Sequence, residues 1–365
     1  MEIKRYIYPI TDFQPACPYL SEHTLLLDIE TTGFSNESES VYLIGTAYRT
    51  DDKITVTLYF AESPDEESRI LKHFCDDLPG FTQLITFNGD RFDLPFLWKR
   101  MEKHKLNPDC ISQPISTDLL KSIRKNKKLL HLEHCNQKAI EEFLEIKRID
   151  SFGGGELIPI YRHYSRYPNA SDKQLLFRHN HDDVTGMLFL LPMLAYENLK
   201  SSALSLVRTD WDWEENLLMA TFEAGVAVPK PLHIHEHSLH MIVEKNTLKT
   251  AIPIHRGTLR YYFPSPAKYV YLTRENTVIP KILATGIPPT EKRPAKQEEC
   301  YVTADGDFVG LDSKLFHNNK EFFHNTKAFL KGWGEKTLYI KTDPIVTQPD
   351  KLCDYMSLLL SYYIR

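Results

Sequence analysis

The sequence is poor in what disulfide scaffolds, membrane spans and strongly basic nucleic-acid binders are built from. Its 365 residues include only six cysteines, none paired in a CxxC, so neither a zinc ribbon nor a disulfide framework is indicated. The longest apolar run, "MLFLLPMLA", is interrupted by Pro192 and falls far short of the ~20 residues that span a bilayer. The opening "MEIKRYIYPI" has no continuous apolar core followed by a small-residue cleavage site, as a secretory leader would. Positive charge is not in excess either: 44 Lys and Arg stand against 49 Asp and Glu, a net charge of −5. Affinity for a polyanion must then come from local patches or metal ions. No internal repeat or low-complexity tract is visible. The expectation is a globular protein of the reducing cytoplasm with no membrane role.

What is present is a patterned α/β sequence, long enough for two domains at roughly 100–200 residues each. Residues 23–30, 41–50 and 53–61 read as three successive strands, with Asp51-Asp52 suited to a tight hairpin between the last two. "SPDEESRILKHFCDDL" reads as a helix with Ser63 as N-cap, Pro64 at its first position and Glu66 completing a capping box. Another strand, "FTQLITFN", leads through Asn88-Gly89 into a helix near 91–104. Residues 116–150 look helical and basic, "SFGGGELIP" is a glycine-rich connection, and a helix from about 172 to 191 follows Ser171, with Gln174 at capping-box spacing. The first domain, a mixed sheet flanked by helices, is expected to span 1–200. Residues 201–365 suggest a smaller α+β region: alternating segments of a small antiparallel sheet, loop chemistry around Pro288 to Pro294, an Asp-Gly turn in "TADGDFVG" and an amphipathic C-terminal helix.

The chemistry begins in "HTLLLDIETTGFS". An apolar strand ends in Asp28 and Glu30, which project to the same side because strand side chains alternate. Two like charges at the end of a buried strand repel and cost desolvation unless something offsets them. Asp93 in "FNGDRFDLPFL" lies in a helix's first turn, where the macrodipole alone favours an acid by roughly 0.3–1 kcal/mol. In "FRHNHDDVTGML", His179 and Asp183 are four apart on one helical face; an exposed ion pair is the plain alternative, yet the helix is largely apolar. Together the four acids suit hard divalent cations. Two Mg²⁺ or Mn²⁺ ions about 3.5–4 Å apart can activate water and stabilise the leaving oxygen of a phosphodiester. His179 has the pKa range of a general base.

"DIETTGF", "FNGDRFDLPFL" and "HNHDDV" resemble the three motifs of the DEDD (DnaQ-like) exonuclease superfamily, in particular the bacterial YprB-type ribonuclease H-like domain proteins. The resemblance covers roughly residues 20–200 and implies a ribonuclease H-like fold. It also implies a two-metal 3′→5′ exonuclease that acts on a nucleic-acid strand and releases nucleoside 5′-monophosphates. By it, Asp28 and Glu30 are the first-motif ligands, Asp93 the second and Asp183 the third. One departure concerns His179: at the four-residue spacing that branch usually carries Tyr, and the His branch spaces one residue longer. A slip in register would exchange Asp183 for Asp182.

For the substrate, the resemblance carries Asn88 and Phe92 to the strand's terminal nucleotide; a turn-making Asn and a core Phe are the plain alternatives. Thr32, Gly33 and Phe34 follow the first motif, and Gly33 would allow close backbone approach. A basic run, Lys121, Arg124, Lys125, Lys127 and Lys128, is either a solvated face or a phosphate track. His233, His235, His237 and His240 form a histidine-rich segment that could chelate a metal or be an exposed strand, and His131, His134 and Cys135 are a weaker case. A single-stranded 3′ end, DNA or RNA, is the expected partner. Two other readings stand beside the exonuclease: a binding module of the same fold without turnover, and a structural acid cluster beside a protein-interaction C-terminal half.

Overall fold

A computed structural model describes residues 1–78, 80–146, 154–236, 238–346 and 348–364. The chain divides into two units, one comprising Met1–Asn198 with Val228–Lys230, the other Leu199–Ala227 with Pro231–Arg365.

The first unit is built on six strands: β1 (Glu2–Pro9), β2 (Thr24–Thr31), β3 (Val41–Thr50), β4 (Lys53–Phe60), β5 (Gln83–Thr86) and β6 (Ile115–Asp118). Their order in the sheet is β1-β4-β3-β2-β5-β6. The β1/β4, β4/β3 and β3/β2 pairs are antiparallel, and β2/β5 and β5/β6 are parallel. The mixed sheet follows from its connections. Asp51-Asp52 makes a two-residue hairpin with φ +52° at Asp51, whereas the parallel neighbours are reached through helices α1 (Glu67–Asp77) and α2 (Asp93–Lys103). The remaining helices of this unit that matter below are α3 (Leu119–Lys125), α4 (Gln137–Phe143), α5 (Gly154–Arg166) and α6 (Ala170–Leu190).

Alternation along β2 sorts its residues onto two faces. Leu25, Leu27 and Ile29 join Ile70, Phe74, Phe96 and Leu97 in one buried cluster. The opposite face, bearing Asp28 and Glu30, lies against α6. Gly45, the neighbour of Asp28 on β3, makes that crossing possible: a Cβ there would stand 2.1 Å from Asn180 Oδ1 and 2.7 Å from Val184 Cγ2. At the end of the β2/β3 ladder the register slips, Glu30 pairing with Leu43 but Thr31 with Val41. The extra residue, Tyr42, is fully buried and stacks on Tyr161 at 3.9 Å, a bulge of the kind that re-aims side chains beside a site.

Several local expectations are corrected. The N-cap of α6 is Asn169, whose side chain accepts from Asp172 N, so the helix starts before Ser171. Ser63 makes no side-chain cap, and Glu66 reaches back instead to the amide of Glu62, at 2.9 Å. "SFGGGELIP" is not a connection throughout: its first three residues lie outside the described ones, and the rest belongs to α5. Strands β1 and β6 were not foreseen.

The second unit carries a larger antiparallel sheet than expected. Its seven strands are β7 (Leu204–Asp212), β8 (Leu217–Ala224), β9 (Leu232–Glu236), β10 (Leu239–Glu244), β11 (Thr247–Tyr262), β15 (Tyr301–Asp312) and β16 (Thr337–Lys341). The 16-residue β11 is the hub, flanked by β8 and β10 along its first half and by β15 along its second. The Asp305-Gly306 pair is no turn: β15 runs straight through it, Gly306 facing Gly257 with φ of +151° and +147°. The Pro-rich loop ends in an edge strand. β12 (Tyr269–Leu272), β13 (Thr277–Pro280) and β14 (Lys292–Pro294) form a three-stranded sheet of their own, with Pro294 at the strand end where no amide is needed. The C-terminal helix, α7 (Pro349–Tyr363), buries Leu352, Tyr355, Met356, Leu359 and Leu360. Among the described residues no helix is long and apolar enough to cross a membrane.

Candidate functional site

Three elements deliver the acids to one place. Glu30 leaves the end of β2 buried, and His179, near the middle of α6, points at it: Nε2 lies 3.4 Å from Glu30 Oε1 and 3.0 Å from Asp183 Oδ2. Ligand atoms of Glu30, His179 and Asp183 all fall within 4.8 Å of one another, and among the described residues no other group of this kind occurs. The i, i+4 spacing on α6 is what brings His179 and Asp183 to the same face. Asp182 faces away, toward His181 Nδ1 at 3.3 Å and Arg178.

Asp28 is half-buried on the same face of β2, its Oδ2 accepting a 2.7 Å hydrogen bond from Asn180 Nδ2. Asn180 is itself 0% exposed. Asp93 occupies the first position of α2, and its Oδ1 accepts the amide of Ile29 at 3.1 Å, on the edge that β2 presents beyond its pairing with β5. That bond aims a helix-terminal carboxylate at the strand carrying the first two acids.

The electrostatics agree with the geometry. Burial, followed by repulsion from Asp93, Asp183 and Glu30, pushes Asp28 well above the carboxylate range, and the Asn180 amide opposes it. Burial pushes Glu30 up to about 8, while the His179 ring and the Tyr42 hydroxyl work in the other direction. Asp93 is pushed up to about 7 by burial, against the stabilising backbone amides. Asp28, Glu30 and Asp93, buried beside other carboxylates, cannot all ionise without a counter-charge. Carboxylate oxygens are the donors that hard divalent cations take, and a cation among them would offset the repulsion and burial that raise these three acids. The residues fit such a metal.

The expected substrate residues fall around the cluster. Asn88 adopts φ +69°, and its amide donates to Asp118 Oδ1 at 2.9 Å. Gly89 is required beside it, since a Cβ would meet Thr86 at 2.4 Å. Phe92 is half-buried against the core, its ring 5.5 Å from Phe96. The loop after β2 is braced from within: the Thr32 hydroxyl donates to Glu39 Oε2 at 2.6 Å, and the Arg162 guanidinium donates to the Thr32 carbonyl at 2.8 Å. Gly33 makes room for Glu39, whose Cγ a Cβ would meet at 2.7 Å. Out of this loop projects Phe34, 78% exposed.

The basic run is partly spoken for, Lys121 pairing with Asp90 and Lys125 with Glu197. The histidine-rich segment is a hairpin in which His235 and His240 face each other at 4.1 Å, and His237 lies outside the described residues. Neither it nor His131, His134 and Cys135 forms a three-ligand group among the described residues.

Sequence reasoning passed over Asn180, Gly45, Tyr42 and Asp118. Asp118 carried a signal, an acid just before the apolar "LL" of α3, whose N-cap it is. Asn180 carried one as well, a polar side chain on an apolar helix.

Residues 25–195 match the family model RNase_H_2 of the RNase H superfamily. No curated protein matches the sequence. Among solved structures, the chain is similar to the family B DNA polymerase of the archaeon Pyrobaculum calidifontis at 14% identity and a TM-score of 0.41, covering 68% of this chain and 36% of that one. It is also similar to E. coli exonuclease I in complex with a dT13 oligonucleotide, at 13% identity and 0.30 over 60% and 55% of the two chains. Exonuclease I from Methylocaldum szegediense gives 12% and 0.29 over 77% and 64%. The chain thus spans less than two thirds of each of these proteins.

Proposed function

From a first domain whose residues 25–195 match the RNase H superfamily model, we propose that the protein is a divalent-cation-dependent 3′→5′ exonuclease, of the DEDD class and YprB type. It hydrolyses phosphodiester bonds at a single-stranded nucleic-acid end and releases nucleoside 5′-monophosphates. The observation that carries the reading is the meeting of Glu30, His179 and Asp183 within 4.8 Å, beside an Asp28 and Asp93 whose protons are held up by burial.

Asp28, Glu30, Asp93 and Asp183 would hold two Mg²⁺ or Mn²⁺ ions. Bound there, such ions supply Lewis acidity at the scissile phosphate and lower the pKa of an attacking water. The chain's own groups do the rest. His179 Nε2, directed into the acid cluster, takes the proton of the water. Asn180 keeps one oxygen of Asp28 turned inward, and the Ile29 amide does the same for Asp93. Phe34 offers an exposed aromatic face to a base, with Thr32 and Gly33 fixing the loop that presents it. Asn88 and Phe92 border the same end of β2 through the turn into α2.

The test uses single-stranded DNA and RNA oligonucleotides labelled at either end, incubated with Mg²⁺, Mn²⁺ or EDTA. Mononucleotides should be released from the 3′ end only with the cations. Asp93→Asn and Asp183→Asn should lower the rate by about 10²-fold or more while leaving the circular dichroism spectrum unchanged. Wild-type rates in either variant, or release in EDTA, refute the assignment.

A further inference from the structure

The second unit contains a cavity of about 720 Å³, within the roughly 300–1,000 Å³ typical of small-molecule sites. Its wall is aromatic. Tyr261 from β11 and Phe329 have ring centroids 6.0 Å apart, and Phe322, 38% exposed, stands in the same lining. Three lysines share that lining, Lys327, Lys341 at the end of β16, and Lys351 in the first turns of α7, against the single acid Asp354. Lys327 Nζ lies 5.3 Å from the centre of the Tyr261 ring. Among the described residues none of the three lysines is in an ion pair. On a chain of net charge −5, three lysines against one carboxylate around one concave surface make a local anion site.

The two halves of this lining ask for two halves of a ligand. Flat aromatic faces gain from stacking a planar ring, by an amount that grows as water is excluded. Ammonium groups gain from phosphate oxygens through charge-assisted hydrogen bonds. A lipid would want an apolar tunnel without cations, and a bare anion would leave uncovered the exposed part of the Phe322 ring, whose other side meets Phe323 at 4.9 Å. We propose that this cavity binds a free nucleotide, its base against the Tyr261 and Phe322 rings, which Phe329 backs from the core, and its phosphate on Lys327, Lys341 and Lys351. The proposal does not depend on the nuclease reading, since every residue it uses belongs to the second unit.

Isothermal titration calorimetry on the full chain in EDTA tests it, with adenosine 5′-monophosphate, adenosine, inorganic phosphate and a short oligothymidylate as separate titrants. Adenosine monophosphate should bind saturably with one site, and more tightly than either of its parts. Lys341→Ala with Lys351→Ala should weaken it by about tenfold or more and leave adenosine unchanged. Phe322→Ala should weaken both nucleotide and nucleoside, and Asp93→Asn should change nothing. The proposal fails if no saturable binding is found, if phosphate binds as well as the nucleotide, or if only the oligonucleotide binds. It also fails if the cavity variants bind like wild type, or if Asp93→Asn abolishes binding, which would place the nucleotide in the first unit.

Discussion

Replacing Gly45 by alanine is the sharpest probe of how the acid cluster is held together. The new methyl carbon would stand 2.1 Å from Asn180 Oδ1 and 2.7 Å from Val184 Cγ2, both well inside van der Waals contact. Neither atom has an easy escape. Asn180 is buried and hydrogen-bonded to Asp28, and Val184 is buried one turn further along α6. Relief therefore needs the helix to lift or Asn180 to swing away from Asp28. Overpacking of this kind costs about 1–3 kcal/mol, which lowers the melting temperature of a domain of this size by about 2–12 °C. A lifted α6 also carries His179 and Asp183 away from Glu30, and a displacement near 1 Å costs a catalytic site roughly 10²-fold. The assay is thermal denaturation alongside Mn²⁺ titration calorimetry on wild type, Gly45→Ala, Asn180→Ala and the double variant. Removing the Asn180 amide should relieve part of the clash, giving a favourable coupling of at least about 0.5 kcal/mol. A Gly45→Ala protein that melts with wild type and binds Mn²⁺ equally well refutes the close-packing argument. Strict additivity of the two changes refutes the part assigned to Asn180.

Two further outcomes follow from other parts of the first unit. Glu67, 1% exposed, accepts from Arg100 Nε at 2.8 Å, from Arg100 Nη2 at 2.6 Å and from Val41 N at 2.8 Å; although burial works to raise its pKa, Arg100, His104 and that amide hold it below its ordinary value of 4.5. Its contribution is therefore complete above about pH 4.5 and lost as the pH falls through the depressed value, so Glu67→Gln should cost about 3–5 kcal/mol at neutral pH and flatten the acid limb of a melting-temperature profile; an unchanged acid limb counts against it. Phe34→Ala should leave stability within about 0.5 kcal/mol, since the ring is exposed, yet weaken single-strand binding by about 1–3 kcal/mol in fluorescence anisotropy; equal affinity would remove the ring from the binding surface.

The acid cluster was legible in the sequence because its information is local. Alternation fixes Asp28 and Glu30 on one side of β2, helical spacing fixes His179 with Asp183, and a strand-turn-helix reading fixes Asp93 at a helix start. These rules need only a few neighbouring residues. Most element types of the first unit came through for the same reason, whereas β1 and β6 did not: they lie at the two sheet edges, β1 alternating between half-buried and exposed residues and β6 mostly exposed, so neither has a fully apolar face to announce it.

What stayed hidden depends on partners far along the chain. Gly306 looks like a turn glycine beside Asp305, and only the presence of Gly257 opposite it, in a strand that passes 49 positions earlier, lets β15 continue without bending back. Asn169 and Ser171 are both reasonable caps; the choice goes to Asn169 because its side chain can reach the Asp172 amide two positions further upstream than the serine would allow. Gly45 and Asn180 are unremarkable apart, and become necessary to each other only when α6 lies across β3. The same holds at the centre of the site. Asp93 and Asp183, taken singly, have bland explanations in a helix start and a surface pair, and it is the burial of Asp28, Glu30 and Asp93 together, each raised first by burial, that makes a cation the fitting counter-charge.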